Sequence, residues 1–190
     1  MSDADQLRRL LLDRSVRLGD FVLASGQHSS YYIDCRLSTM SAEGMVLIGR
    51  MGLAAIRAAG WRPRALGGLT MGADPVAYAI AAASHGTDLE MDAFSVRKEA
   101  KAHGTGRRIE GNFSAGVAVV VVEDVITTGS SARQAIEAVR GAGGRVAGVV
   151  AVVDRGEGGK QMLEGAGYSV VCLTTSSELG LKAQETGHEA

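Results

Sequence analysis

Cysteine is scarce: Cys35 and Cys172 are the only two, 137 positions apart, with no CxxC pair and no histidine-rich spacing beside them. That excludes a disulfide framework and a zinc site, and leaves two reduced thiols whose expected role is packing. Long apolar runs are missing too, with nothing near the roughly 20 residues that a membrane-spanning helix needs. The opening MSDADQLRRLLLDRS is acidic and then amphipathic, not basic and then apolar, so neither a membrane partner nor a signal peptide is expected. Charge of one sign is almost absent. At a formal net charge of −1 over 190 residues the chain has no bulk field for nucleic acid, and any charge-driven function must be local. A soluble, cytoplasmic protein with no nucleic-acid partner is the expectation. Internal repeats and low-complexity linkers are also missing. With 46% hydrophobic and 22% charged residues the composition is that of an ordinary globular chain, read as a single domain over 1–190.

What is present is alternation of helix and strand. Leu7, Leu10 and Leu11 recur at helical spacing in residues 4–14, and Met45, Ile48, Leu53 and Ile56 mark the apolar face of a helix over 42–60. Between them FVLASGQHSSYYIDCR predicts two short extended segments joined at the turn signal Ser25-Gly26. RALGGL reads as a strand, leading through TMGADP into a helix with Asp74 as N-cap and Pro75 as its first residue. LEMDAFSV, VAVVVV and RVAGVVAVVD follow as strands, with a helix over SSARQAIEAVRGAGG whose stripe is Ala132, Ala135, Ile136 and Val139. GKQMLEGAG predicts a last helix and YSVVCLT an edge strand, while the polar residues 174–190 read as a partly disordered tail. Strands apolar on both faces and separated by helices indicate an α/β fold with a mostly parallel sheet flanked by helices.

One stretch concentrates chemistry. VVVVEDVITTGSS, Val119 to Ser131, drives a buried strand into two carboxylates and then a run of hydroxyls around one glycine. In an open parallel sheet, ligands bind at the carboxyl ends of strands. A helix starting near Ser130 or Ser131 offers free N–H donors to a phosphate. Thr127, Thr128, Ser130 and Ser131 add hydroxyls, and Gly129 permits close approach or positive φ. The loop lacks the GxxxxGK[ST] of a triphosphate site, so it suits a phosphomonoester. A carboxylate is acceptor-only, so Asp124 beside such a loop suits the vicinal hydroxyls of a phosphorylated sugar. Taken singly, each element has a plainer reading as a strand end or helix cap; together they point to a sugar phosphate.

A second stretch, RKEAKAHGTGRR, sets Arg97, Lys98, Lys101, Arg107 and Arg108 against the single acid Glu99, a local charge of about +4. Gly104 and Gly106 break any helix there, which suits a loop bringing cations over a polyanionic substrate, though a solvated basic surface has the same composition. Neither a nucleophilic triad nor a glycosidase-type carboxylate pair is apparent. Catalysis would rest on positioning and on stabilising charge that grows on a leaving group.

Val119–Ser131 resembles the motif by which type I phosphoribosyltransferases bind 5-phosphoribosyl 1-diphosphate (PRPP). RKEAKAHGTG and the upstream FVLASGQHSSYYID are similar to those of the orotate-using branch, and the likeness covers about residues 7–173. It implies the fold of that family with an N-terminal hood over about 1–40. The implied reaction moves a phosphoribosyl group from PRPP to orotate, giving orotidine 5'-phosphate and pyrophosphate in pyrimidine synthesis. It further implies that Glu123, Asp124, Val125, Ile126, Thr127, Thr128, Gly129, Ser130 and Ser131 bind PRPP, and that Arg97, Lys98, Lys101 and His103 meet its pyrophosphate. Lys101, His103 and Asp124 would carry catalytic roles, and Thr127, Arg155, Tyr31 and Tyr32 would hold orotate. Mg²⁺ would be bound chiefly through PRPP oxygens, with water-mediated contact to Glu123 and Asp124 and no direct protein ligand. A homodimer sharing the lid loop between subunits is implied as well. Two departures stand out: Ala24 and Gly72 lie where many or some such proteins carry lysine, with Arg107 or Arg108 as candidate replacements. The rival readings are a transferase for another base and a non-catalytic PRPP sensor.

Overall fold

A computed structural model describes residues 1–22, 28–99 and 108–181. The first helix, α1 (Asp3–Arg14), opens on a reciprocal cap: the Ser2 hydroxyl accepts from the Asp5 amide at 3.1 Å, and the Asp5 carboxylate accepts from the Ser2 amide at 3.2 Å. Its leucine stripe of Leu7, Leu10 and Leu11 is buried, as its spacing predicts. Strands β1 (Val16–Val22) and β2 (His28–Ile33) form an antiparallel hairpin, the two extended segments expected. The turn at Ser25-Gly26 lies outside the described residues. A short helix α2 (Arg36–Thr39) leads to α3 (Ala42–Ala58). In α3 the buried face runs through Leu47, Ile48, Leu53 and Ile56. Met45, expected on that face, is instead exposed, displaced by about one position in the helical wheel.

A six-stranded sheet follows in the order β5-β4-β3-β6-β7-β8. Its strands are β3 (Ala65–Leu69), β4 (Asp92–Val96), β5 (Ile109–Gly111), β6 (Ala118–Ile126), β7 (Arg145–Asp154) and β8 (Val170–Thr175). All neighbours are parallel except β4 and β5. The short β5 carries too little pattern to be read from sequence; it exists because the chain returning from the basic loop pairs with β4. Helices α4 (Ala73–Ser84), α5 (Ser130–Gly141) and α6 (Gly159–Gly165) connect the strands.

The valine run of β6 explains the two-sided core. Val120 and Val122 pack with α1, α3 and α4, whereas Val119 and Val121 pack with α5. Each successive residue meets an apolar layer, so the strand reads as continuous rather than alternating. Strand β6 is also longer than the apolar run suggests: Glu123 and Asp124 are not its exit loop but lie within it, and pairing with β7 continues to Ile126. Helix α4 differs as well. It starts at Ala73 with Gly72 at the cap position, and Asp74 faces side-chain donors instead of capping the helix. The chain from 174 is in place through 181: Leu179 and Leu181 are buried in the core, so no disordered tail begins at 174. No helix among the described residues is long and apolar enough to cross a membrane.

Candidate active site

The carboxyl ends of β3, β4 and β6 open into a cleft of about 880 Å³, lined also by residues at the starts of α4 and α5 and by Arg36 of α2. Glu123 and Asp124 both line it. Two neighbours on a regular strand face opposite ways, but here strict alternation lapses. Val122 and Val125, three apart, both pack on the α3–α4 side, with the acidic pair between them. Glu123 is buried, and its Oε2 has no hydrogen-bond partner. That burial, followed by the adjacent Asp124 charge, pushes its carboxyl well above the usual carboxylate range. Asp124 is half-buried; its Oδ1 accepts from the Val125 amide at 2.9 Å.

The hydroxyl turn follows directly. Gly129 has φ 78° and ψ 5°, a left-handed conformation that favours glycine, and caps α5 with no side-chain hydrogen bond. The first-turn N–H groups of α5 are therefore not taken by a side-chain cap. Ser131 lines the cleft, and Thr128 and Ser130 are exposed beside it. The side chains of Val125 and Ile126 pack in the core, so only their backbone is left to meet a ligand. The sequence reading missed what braces this turn. The Gly159 amide donates to the Thr127 carbonyl at 2.9 Å, and a Cβ at Gly159 would lie 2.3 Å from that carbonyl oxygen and 2.5 Å from the Gly129 nitrogen. The start of α6 thus presses on the turn backbone to backbone. Asp74, expected as an N-cap, serves otherwise: it accepts from Thr70 Oγ1 and from Ser95 Oγ, each at 2.6 Å, tying the β3–α4 loop to the end of β4.

Arg155, just beyond β7, is not the solvated strand terminator that its position also permits. It is buried, with its guanidinium carbon 4.9 Å from the centre of the Tyr31 ring. Its Nη2 lies 3.4 Å from Ser29 Oγ and 2.9 Å from Glu157 Oε1, while its Nε is buried without a partner. The backbone fixes it from both sides: its amide donates to the Ile126 carbonyl and its carbonyl accepts from Ser176 Oγ. Tyr31 and Tyr32 do not form one wall. Adjacent on β2, they alternate: Tyr31 is buried against Arg155, and Tyr32 is turned outward beside Phe21, ring centres 5.8 Å apart.

Arg97 and Lys98 line the cleft at the stem of the basic loop, where Arg97 Nε is 3.6 Å from Glu110. The Arg97 amide donates to the Arg108 carbonyl, and the Arg108 guanidinium donates to the Arg97 and Lys98 carbonyls at 3.4 Å. Arg108 is spent closing the stem and lines a different cavity, so it does not replace a missing lysine in the cleft. Lys101, His103, Arg107 and Ala24 lie outside the described residues. Among the described residues no group of three or more His, Cys, Asp or Glu side chains could hold a metal ion. The cleft does offer an all-oxygen carboxylate pair with one orphaned buried oxygen, a donor set that fits Mg²⁺ sharing its shell with water and ligand oxygens.

Residues 45–177 match the phosphoribosyl transferase domain family. The orotate phosphoribosyltransferase of Aquifex aeolicus is 45% identical over 182 residues, covering 94% of this chain and 98% of that protein. Two crystal structures of Mycobacterium tuberculosis orotate phosphoribosyltransferase share the fold. The complex with Fe(III) dicitrate has a TM-score of 0.84 at 43% identity, and the complex with PRPP has 0.80 at 38%; each covers 95% of this chain and 100% of the other.

Proposed function

The chain belongs to the phosphoribosyl transferase domain family, in its orotate phosphoribosyltransferase branch, and from that premise we propose how its own residues perform the reaction. The protein transfers the 5-phosphoribosyl group of PRPP to orotate, giving orotidine 5'-phosphate and pyrophosphate in de novo pyrimidine (UMP) biosynthesis. The observation that carries the assignment of parts is the sharing of one strand end: β6 delivers an acidic pair to the cleft and, three residues later, the left-handed phosphate turn.

In this reading the N–H groups at the start of α5 and the hydroxyls of Thr127 to Ser131 take the 5'-phosphate. Asp124 accepts from the ribose hydroxyls. Arg155 pairs with the orotate carboxylate, Tyr31 orients Arg155 by lying under its guanidinium, and Thr127 supplies a hydroxyl to the base. Arg97 and Lys98 at the loop stem, with Lys101 and His103 from the loop itself, meet the pyrophosphate. As the bond from the anomeric carbon to the pyrophosphate oxygen breaks, negative charge grows on that oxygen, and Lys101 neutralises it. Nitrogen N1 of orotate forms the new bond to the anomeric carbon as its N–H bond breaks, and the proton passes to solvent. Glu123 and Asp124 are the residues that would hold Mg²⁺, through water, against PRPP. When bound, the ion neutralises phosphate charge. The enzyme is cytoplasmic and acts as a homodimer whose loops reach into the partner's cleft.

The test is PRPP-dependent loss of orotate ultraviolet absorbance by the purified protein with Mg²⁺, beside uracil, adenine and hypoxanthine. Turnover of orotate alone is expected. Turnover of a purine in its place would overturn the assignment of the base, and PRPP binding without turnover of any base would overturn the assignment of an enzyme.

A further inference from the structure

Resting on that reading, we propose that Arg36 is a substrate-binding residue that holds the pyrophosphate end of PRPP from the hood side of the cleft. The cleft has no excess of positive charge for a polyanion: Glu99, Glu110, Glu123 and Asp124 line it beside Arg36, Arg97 and Lys98. Arg97 lies within 3.6 Å of Glu110. Arg36 lines the cleft from α2, an element separate in the chain from the basic loop.

Its geometry is built rather than incidental. Arg36 Nε donates to Asp34 Oδ1 at 2.8 Å and its Nη2 to Oδ2 at 2.9 Å, a two-point pair that fixes the plane of the guanidinium. Asp34 is itself anchored, its amide donating to the Ser15 carbonyl at 2.9 Å, and its carboxylate also receives the Arg36 amide at 3.2 Å. A guanidinium has five N–H donors, so the pair leaves three for a ligand. The Arg36 side chain keeps 47% of its exposure, so those donors are reachable from the cleft.

The order of parts along the cleft identifies the ligand group. The turn at Gly129 takes the 5'-phosphate and Asp124 the ribose, so the pyrophosphate lies beyond Asp124. There the wall is Gly72, whose missing side chain lets the loop backbone sit directly on the Asp124 carboxylate: a Cβ at Gly72 would lie 2.6 Å from Asp124 Oδ1. No side chain at 72 can bring charge to this spot without moving Asp124. Arg36 lines the same cleft beside Met71, Gly72 and Asp124, and Arg108 is committed to the loop stem. Arg36 is therefore the described cation outside the basic loop that lines the pyrophosphate end, with Asp34 as its positioning residue.

Pyrophosphate and ribose 5-phosphate, titrated separately with Mg²⁺ into the full chain, distinguish this assignment from a structural role. Arg36→Ala should weaken pyrophosphate binding and raise KM for PRPP by roughly tenfold or more, with KM for orotate and the affinity for ribose 5-phosphate unchanged. Arg36→Lys should recover part of the loss, and Asp34→Asn should fall between the two. Unchanged pyrophosphate affinity in Arg36→Ala, at a melting temperature equal to that of the parent, would overturn the proposal. So would equal losses for ribose 5-phosphate and orotate, the signature of a disturbed hood. A parent protein that turns over orotate while Arg36→Ala loses nothing sinks only the role of Arg36, whereas a parent that binds no PRPP sinks the functional reading beneath it.

Discussion

Arg155 shows how a single residue type changes meaning with burial. A guanidinium in water is satisfied by solvent; one that is buried with an orphaned Nε is waiting for an acceptor. Glu157 already takes its Nη2 at 2.9 Å from a position that is 27% exposed, so in the proposed binding mode an orotate carboxylate meets a negative neighbour. Glu157→Gln should lower KM for orotate by roughly two- to fivefold, the range of a partly solvated ion pair, with little change in kcat. A rise in KM, measured at saturating PRPP, would mean that Glu157 aims Arg155 instead of competing for it. Tyr31 and Tyr32 make the complementary point: identical neighbours on one strand have opposite fates because successive side chains leave a strand on opposite faces.

At the scale of elements, the turn at Gly129 is not held by its own sequence alone. Helix α5 and its glycine are legible in TTGSSARQAIEAV, with Ala132, Ala135, Ile136 and Val139 buried as their spacing requires. The brace comes from α6, about thirty residues later, through the backbone contact at Gly159. Gly159→Ala places a methyl group against the Thr127 carbonyl and the Gly129 nitrogen. It should cost roughly 1–3 kcal/mol of stability and raise KM for PRPP more than KM for orotate. Thermal melting and the two KM values check this; an unshifted melt with both constants unchanged would show that the turn stands without α6.

Across the whole molecule, one property follows from what the fold buries and another from the proposed sharing of the basic loop between subunits. Glu123 is favoured in its neutral form, so the folded chain holds a proton that the unfolded chain has lost. Below the usual carboxylate range both states are protonated and nothing is lost; as pH rises the unfolded state ionises first and stability falls, until the buried group ionises too. In protein free of metal and ligand, Glu123→Gln should flatten this decline in melting temperature as pH rises above the usual carboxylate range. Parallel profiles for the two proteins would remove Glu123 as its source. In the proposed mechanism, with the loop shared between subunits, Lys101→Ala alone should lower kcat by about 10²–10³-fold. Mixing Lys101→Ala with Arg155→Ala subunits should restore part of the activity, since one hybrid cleft then holds both intact groups. No recovery after verified subunit exchange would count against shared sites.

By itself, the sequence determined the alternation of elements, the two-sided burial of β6 and β7, and the glycine turn that opens α5. These are local: they depend on periodicity, on glycine and on residues within one turn or strand. Only the tertiary structure decided that β6 runs on through Glu123 to Ile126, because the neighbour β7 supplies hydrogen bonds that far. It also decided that Asp74 ties two loops, that Arg155 is buried under Tyr31, and that Arg36 faces the cleft from α2. Each of those facts is a contact between residues distant in the chain. A pattern along one segment carries no information about which group arrives from another, and the packing of the hairpin and helices against the sheet sets that.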